Sequence, residues 1–145
     1  MTRDIRLQGL SSEHEEAILI GRRLLQLCCE PEEGLKASWD MLLLRFYKDV
    51  EPHFRTEEQE LFPALETVGE EELVARAWED HEALRALVTH SEENLRTRME
   101  RLGRRLLAHV HFEETELFEV AQRKLAPEVL ERISRRSPAP SRTTG

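Results

Sequence analysis

The stretches His53-Phe54-Arg55-Thr56-Glu57-Glu58-Gln59-Glu60-Leu61-Phe62 and His109-Val110-His111-Phe112-Glu113-Glu114-Thr115-Glu116-Leu117-Phe118 share one pattern, His-x-x-x-Glu-Glu-x-Glu-Leu-Phe. In a helix, residues four apart stand on one face about 6 Å apart along the axis, so each stretch aims an imidazole and a carboxylate at the same point. Both groups ligate metals, and the pattern occurs twice. The chain therefore reads as helical and as a two-metal protein.

The rest of the sequence agrees with a helical fold. Its 145 residues are enough for one domain to bury its own core without staples. A third of them are charged, with only 6 Gly and 6 Pro, while Leu, Glu, Arg and Ala recur throughout. The net charge of −8 argues against a nucleic-acid surface or an anionic membrane surface, since both need a positive face. No stretch approaches the roughly 20 apolar residues of a spanning helix, and the start has no apolar run of signal-peptide type. Adjacent Cys28 and Cys29 cannot easily reach disulfide geometry and are expected as buried free thiols. A reducing cytoplasm is the expected compartment.

The apolar spacing predicts four long helices. The first runs from Ser12, as cap with Glu15 as capping-box partner, to about Cys29, with Leu10, His14, Ala17, Ile18, Gly21, Leu25 and Cys28 inward. After the break at residues 30–34, the second runs from about Leu35 to Glu66, with Trp39, Leu42, Leu43, Phe46, Val50, His53, Glu57, Leu61 and Ala64 inward and a kink at Pro52. Gly69 supplies a left-handed exit, and the third helix carries Val74, Ala77, Trp78, His81, Leu84 and Val88 on one stripe. The fourth runs from Leu95 or Met99 through Leu106, His109, Glu113 and Leu117 to Val120. Ala126-Pro127 closes it, and Glu128 to Ser134 can form a short further helix. Residues 1–134 are thus read as one domain and residues 135–145, rich in Ser, Pro and Thr, as a disordered tail.

In an antiparallel bundle, residues at the same height lie equally far from the turn between them. His14 and His53 have their midpoint at Glu33-Gly34, and the pair His53/Glu57 with His81 has its midpoint near Val68. Both are turns on independent grounds. His81 and His109 require a turn near Leu95, next to Asn94 as a left-handed C-terminal residue and just before a capping box at Thr97-Arg98-Met99-Glu100. The expected fold is all-α, an antiparallel up-down-up-down four-helix bundle, with His14, His53, Glu57, His81, His109 and Glu113 in one interior layer. Left without metal, such a layer would cost several kcal/mol for each unpaired charge, on the order expected for buried ions.

The order and spacing of these residues, an early histidine, His53-x-x-x-Glu57, His81 and His109-x-x-x-Glu113, resemble the hemerythrin-like, or HHE cation-binding, family over roughly residues 10 to 125. The resemblance implies a core site for two non-haem Fe ions with an oxo or hydroxo bridge. It also implies that Glu57 and Glu113 bridge the metals and that each metal takes two histidines. Helix pairing assigns His14 and His53 to one metal, His81 and His109 to the other. Oxygen-carrying hemerythrins have a further histidine one turn along the third helix, where this chain has Ala77 or Arg85. Four histidines make the shell more similar to that of the bacterial repair-of-iron-centres proteins. Their amino-terminal cysteine-containing domain has no counterpart here, so a bundle alone is expected. Fewer carboxylates than in ferritin-like sites favour the reduced metals, which points to binding a small diatomic or peroxidic ligand (O2, NO or peroxide). The alternatives are peroxide breakdown, repair of iron–sulfur centres, or a regulatory module that the metal only stabilises.

Two histidines act as internal controls. His90 and His111 stand about 180–200° around the helix from His81 and His109 and should face outward. Helical angle places Glu58, Glu60, Glu114 and Glu116 at the edge or outside. Arg85 either bonds a bridging carboxylate or lies at the bundle edge, and Gly21 marks either close helix packing or a ligand channel. Trp39, Phe46, Phe62 and Phe118 read as core.

Overall fold

The computed structural model describes residues 2–89 and 93–140. Every regular element in them is helical, and no strand occurs among the described residues. Five rods follow one another: α1 (Gln8–Leu27), α2 (residues 35–67), α3 (Glu71–Thr89), α4 (residues 95–124) and α5 (Pro127–Arg136). No helix is long and apolar enough to cross a membrane among the described residues.

The first helix begins earlier than its capping signal indicates. Asp4 accepts from the Arg6 N–H and starts a 3-10 turn, Ile5–Leu7, that leads directly into α1. Ser12 lies inside the helix and bonds back to Gly9 O at 2.9 Å, so neither it nor Glu15 caps anything. The inner stripe is also rotated slightly from expectation: Ile20, Leu24 and Leu27 are buried, while Ile18, Leu25 and Cys28 sit at the edge. The cysteines are correspondingly not buried thiols. Cys28 is half-buried and Cys29 exposed, and both are free.

Gly34 (φ 85°) and Gly69 (φ 87°) hold the left-handed turns on either side of α2. The rod α2 is continuous but contains two π turns, Phe46–Val50 and Glu57–Leu61, each followed closely by a proline, Pro52 and Pro63. A widened turn, in which Glu51 N–H bonds Phe46 O, makes room for the ring of Pro52, which has no N–H to donate, and so carries the helix past it. Asn94, expected as a left-handed residue, has φ −64° and caps α4 by accepting from Thr97 N–H at 2.9 Å, so Thr97 is inside the helix. His90 lies outside the described residues.

Packing follows from these faces. Gly21 on α1 faces Gly103 on α4; a Cβ on Gly103 would stand 2.9 Å from Gly21 O, so close helix contact is the reason for both glycines. Among the described residues there are five helical rods, the bundle's four and the short further helix α5. Helix α5 docks through Leu130 and Ile133 onto Leu7 and Leu10, runs through Arg136, and leaves Ser137 buried, two to three residues into the stretch whose composition suggested a tail. Two apolar clusters result. One holds Leu24, Trp39, Phe46, Phe54, Leu84 and Leu106; the other holds Leu10, Phe62, Leu65, Ala77, Phe118 and Leu130. Each fully buried Leu or Phe in them contributes about 1.5–3 kcal/mol. In sequence, His14, Glu57, His81 and Glu113 fall at or near the boundary between these two sets on their own helices, and His53 and His109 directly precede Phe54 and Val110, the last members of the first set on theirs.

Candidate metal centre

All six expected ligands are buried together. His14, His53, Glu57 and Glu113 form one group and Glu57, His81, His109 and Glu113 a second, with one ligand atom from each residue lying within 4.8 Å of the others in its group. The two glutamates belong to both groups. Glu57 turns Oε2 to His53 Nε2 (3.3 Å) and Oε1 to His81 Nε2 (3.2 Å). Glu113 turns Oε1 to His14 Nε2 (2.8 Å) and His53 Nε2 (3.8 Å), and Oε2 to His109 Nε2 (3.3 Å). Each carboxylate thus presents one oxygen to each half, which is the geometry of a bridge.

The π turns help to make this layer. Phe62 N–H bonds Glu57 O, and Phe118 N–H bonds Glu113 O, so each shared glutamate opens a widened turn. The extra residue lets Leu61 and Phe62, and likewise Leu117 and Phe118, all reach the interior after the glutamate. This explains the Leu-Phe end of the repeat.

Several inward atoms have no hydrogen-bond partner: Nε2 of His53, His81 and His109, both oxygens of Glu57, and Oε2 of Glu113. Buried polar atoms are rarely left so, and leaving one unmade costs about 1–3 kcal/mol. Converging imidazole nitrogens and carboxylate oxygens suit a pair of borderline metal ions. The residues therefore fit a di-metal group.

The outer edge of each imidazole shows what helical angle alone concealed. Nδ1 of His53 donates to Glu13 (2.7 Å), that of His81 to Glu58 (2.6 Å) and that of His109 to Asp80 (2.9 Å), while His14 Nδ1 faces Glu114 at a looser 3.5 Å. Each of these three bonds comes from the helix before, α1 supporting α2, α2 supporting α3 and α3 supporting α4, while on α1 His14 Nδ1 makes no hydrogen bond and only faces Glu114 of α4. A carboxylate can only accept, so it fixes the proton on Nδ1 and points the Nε2 lone pair inward. Glu58 and Glu114 are thus not a solvated face, and Glu13 and Asp80 are functional candidates that the sequence reading missed. One signal was present: each supporting acid is a chain neighbour of a ligand, as in Glu13-His14 and Asp80-His81.

Arg85 bonds neither Glu57 nor Glu113. Its guanidinium grips Glu58 (2.6 and 3.0 Å) and Glu51 (2.7 Å), and so reaches the site only through the support of His81. Glu60 is held by Arg132 and Arg136 of α5. Glu116 and His111 are exposed, as expected.

Without metal, these groups share protons among themselves. Burial would lower the histidine pKa values, but the facing carboxylates outweigh it and raise all four: His53 well above its ordinary value, through Glu57 and Glu113, and His109 to about 10, through Glu113 and Asp80. Burial would raise Glu113, yet the His109 charge beside it, with His14 bonded to it and His53 close by, holds it well below the carboxylate range. A metal ion entering here takes the place of those protons.

Two cavities reach this layer from outside. One of about 420 Å³ is lined by Ser11, His14, Val110 and Glu114, the other, about 270 Å³, by Glu13, Pro52, His53 and Thr56. A larger groove of about 620 Å³ lies between α3 and α4, lined by Ala83, Leu87, Arg101 and Arg105, and touches none of the six residues.

Comparison with curated proteins finds no match, and neither does comparison with solved structures. A family model described as the hemerythrin HHE cation-binding domain matches residues 6–121, a span that contains all six inward ligands and the four carboxylates behind them. The chain belongs to the hemerythrin HHE cation-binding domain family.

Proposed function

We propose that this domain holds two non-haem iron ions in an up-down-up-down bundle of α1 to α4 and binds a small ligand, dioxygen, nitric oxide or peroxide, for sensing, scavenging or stress protection. The observation that carries this reading is the set of unpartnered, buried Nε2 and carboxylate oxygen atoms, arranged as two groups that share Glu57 and Glu113. His14 and His53 serve one ion and His81 and His109 the other, with both glutamates serving each. Bound iron supplies a Lewis acid and a source of electrons for a small ligand.

The protein's own part is to hold that chemistry in a dry, fixed frame. Glu13, Glu58 and Asp80 keep the imidazoles of His53, His81 and His109 in one tautomer, and the two apolar clusters exclude bulk water above and below. Four neutral imidazoles and two carboxylates put little negative charge on the pair, which favours its reduced form and restrains oxidising power. Ligand access is on the His14/His53 side, because both cavities that reach the layer do so there.

The test is anaerobic reconstitution with ferrous iron followed by exposure to air. The expected result is about two irons per chain, one for each group of ligands, with the near-ultraviolet absorption of a ferric pair that changes on adding azide. A colourless protein that takes up no iron overturns the reading, and rapid turnover of peroxide lost in Glu57→Ala would convert it from binding to catalysis.

A further inference from the structure

Residues 137–140, which follow α5, stay against the molecule. Ser137 is 2 % exposed, and a Cβ placed on Gly9 would stand 1.7 Å from Ser137 O and 2.8 Å from the Pro138 carbonyl carbon. The backbone of residues 137–138 therefore lies directly on the first turn of α1, where only glycine admits it. The segment is also anchored from behind. Arg136 bonds Glu60 (3.2 Å), Arg132 bonds the other Glu60 oxygen (3.0 Å), and Ser137 N–H donates to Ile133 O (3.0 Å).

Its path runs between the two cavities. Arg136 and Ser137 line the one that reaches His53, and Pro140 lines the one that reaches His14. Ser137 Oγ also donates to Glu13 Oε1 (3.4 Å), the oxygen that accepts from His53 Nδ1 (2.7 Å). A structural brace for α5 would need none of these contacts.

We propose that residues 136–140 form a strap, seated on Gly9, that sets the size of ligand admitted to the His14/His53 half, with Ser137 and Pro140 as the size-determining residues. The inference rests on the reading that a small ligand binds in this half. With the strap seated, the two routes are separate openings on either side of it. Lifting the strap would merge the two openings and expose His14 and His53 to larger molecules.

Two variants lift it by different means: Gly9→Ala, whose methyl collides with the strap but suits the helix, and a chain ending at Ser134. In metal-free protein, mass mapping of diethylpyrocarbonate modification reads exposure of the imidazoles directly. His14 and His53 should react about tenfold faster in both variants, with His81 and His109 unchanged, as expected when a gating segment is released. In iron-loaded protein, azide binding should change little while imidazole, a larger ligand, should bind about tenfold faster. Unchanged diethylpyrocarbonate rates in variants whose circular dichroism is native overturn the strap. Faster modification with no azide response in any form keeps the strap as a cover and overturns the ligand-binding reading instead.

Discussion

The two halves of the centre are built from the same ligands and differ in what surrounds them. The His81 ring is stacked on Phe54 at 3.8 Å between centroids and flanked by Phe62 and Trp78, while His109 lies between Phe54 and Phe112. Around His14 and His53 there are one stacked ring, Phe118, and Phe54 tilted against His53, with Ser11, Ser12, Thr56 and Ser137 beside two cavities. The outer supports differ in the same sense. Glu58 behind His81 is 11 % exposed and clamped by Arg85, whereas Glu13 behind His53 is 37 % exposed and held further only by Ser137. One half is dry and rigid, suited to retaining a metal. The other is polar and reachable, suited to exchanging a ligand.

The largest effect should come from removing what the halves share. Glu57→Ala deletes an oxygen from each group, so metal analysis should show loss of the pair, with affinity reduced by more than the ~100-fold seen for outer supports. Retention of one ion at full affinity would mean that one half is self-sufficient. Next is the aromatic wall: Phe54→Ala should cost about 3–5 kcal/mol in denaturant unfolding and admit azide to the His81/His109 half. If ligand binding is unchanged in that variant, the wall is packing alone.

The third comparison sets Glu58→Gln against Glu13→Gln. Losing the clamped acid should weaken metal binding about 10–100-fold, and losing the exposed one should cost less than tenfold. Equal losses by calorimetry would erase the difference between rigid and open halves. A control inside the repeat is Glu116→Ala, whose partner Arg76 is itself exposed, and it should change stability by less than about 0.5 kcal/mol.

A smaller, graded effect follows from protons. In metal-free protein the four histidine pKa values are raised above the unfolded value of about 6.5, so their contribution to stability is complete below that pH and is lost as pH rises, through about 10 for His109. Glu113 is shifted down, so its contribution is present above about pH 4.5 and lost as pH falls. Thermal melting of the metal-free form should therefore weaken from about pH 6.5 towards 10, while metal affinity rises over the same range because fewer protons must be displaced. A metal-free melting temperature that rises with pH through this window would contradict the proton sharing described here.

Much of the site was legible because its constraints are local. A helix brings residues four apart to one face, so His53/Glu57 and His109/Glu113 could be paired from spacing, and equal distances from Gly34 and Val68 levelled His14 and His81 with them. Local capping rules were less reliable. Ser12 has the right chemistry for a cap, yet Asp4 starts a 3-10 turn that carries the helix past it, since docking of Leu7 and Leu10 on α5 outweighs one cap bond. The edge positions were misread for a related reason. Glu58 and Glu114 lie about 100° from their neighbouring ligands, an angle that means solvent on an isolated helix and an imidazole edge inside a bundle.

By itself, then, the sequence determined the helices and the layer of six inward residues, because periodicity and chain distance suffice for these, while their grouping about two shared glutamates was only what the family resemblance implied. Only the tertiary structure decided the supporting carboxylates, the π turns that open at Glu57 and Glu113, and the unequal walls of the two halves. It also decided that residues 137–138 fold back over Gly9. Each of these depends on which side chain meets which across a helix interface, a relation set by packing and invisible to spacing along one chain.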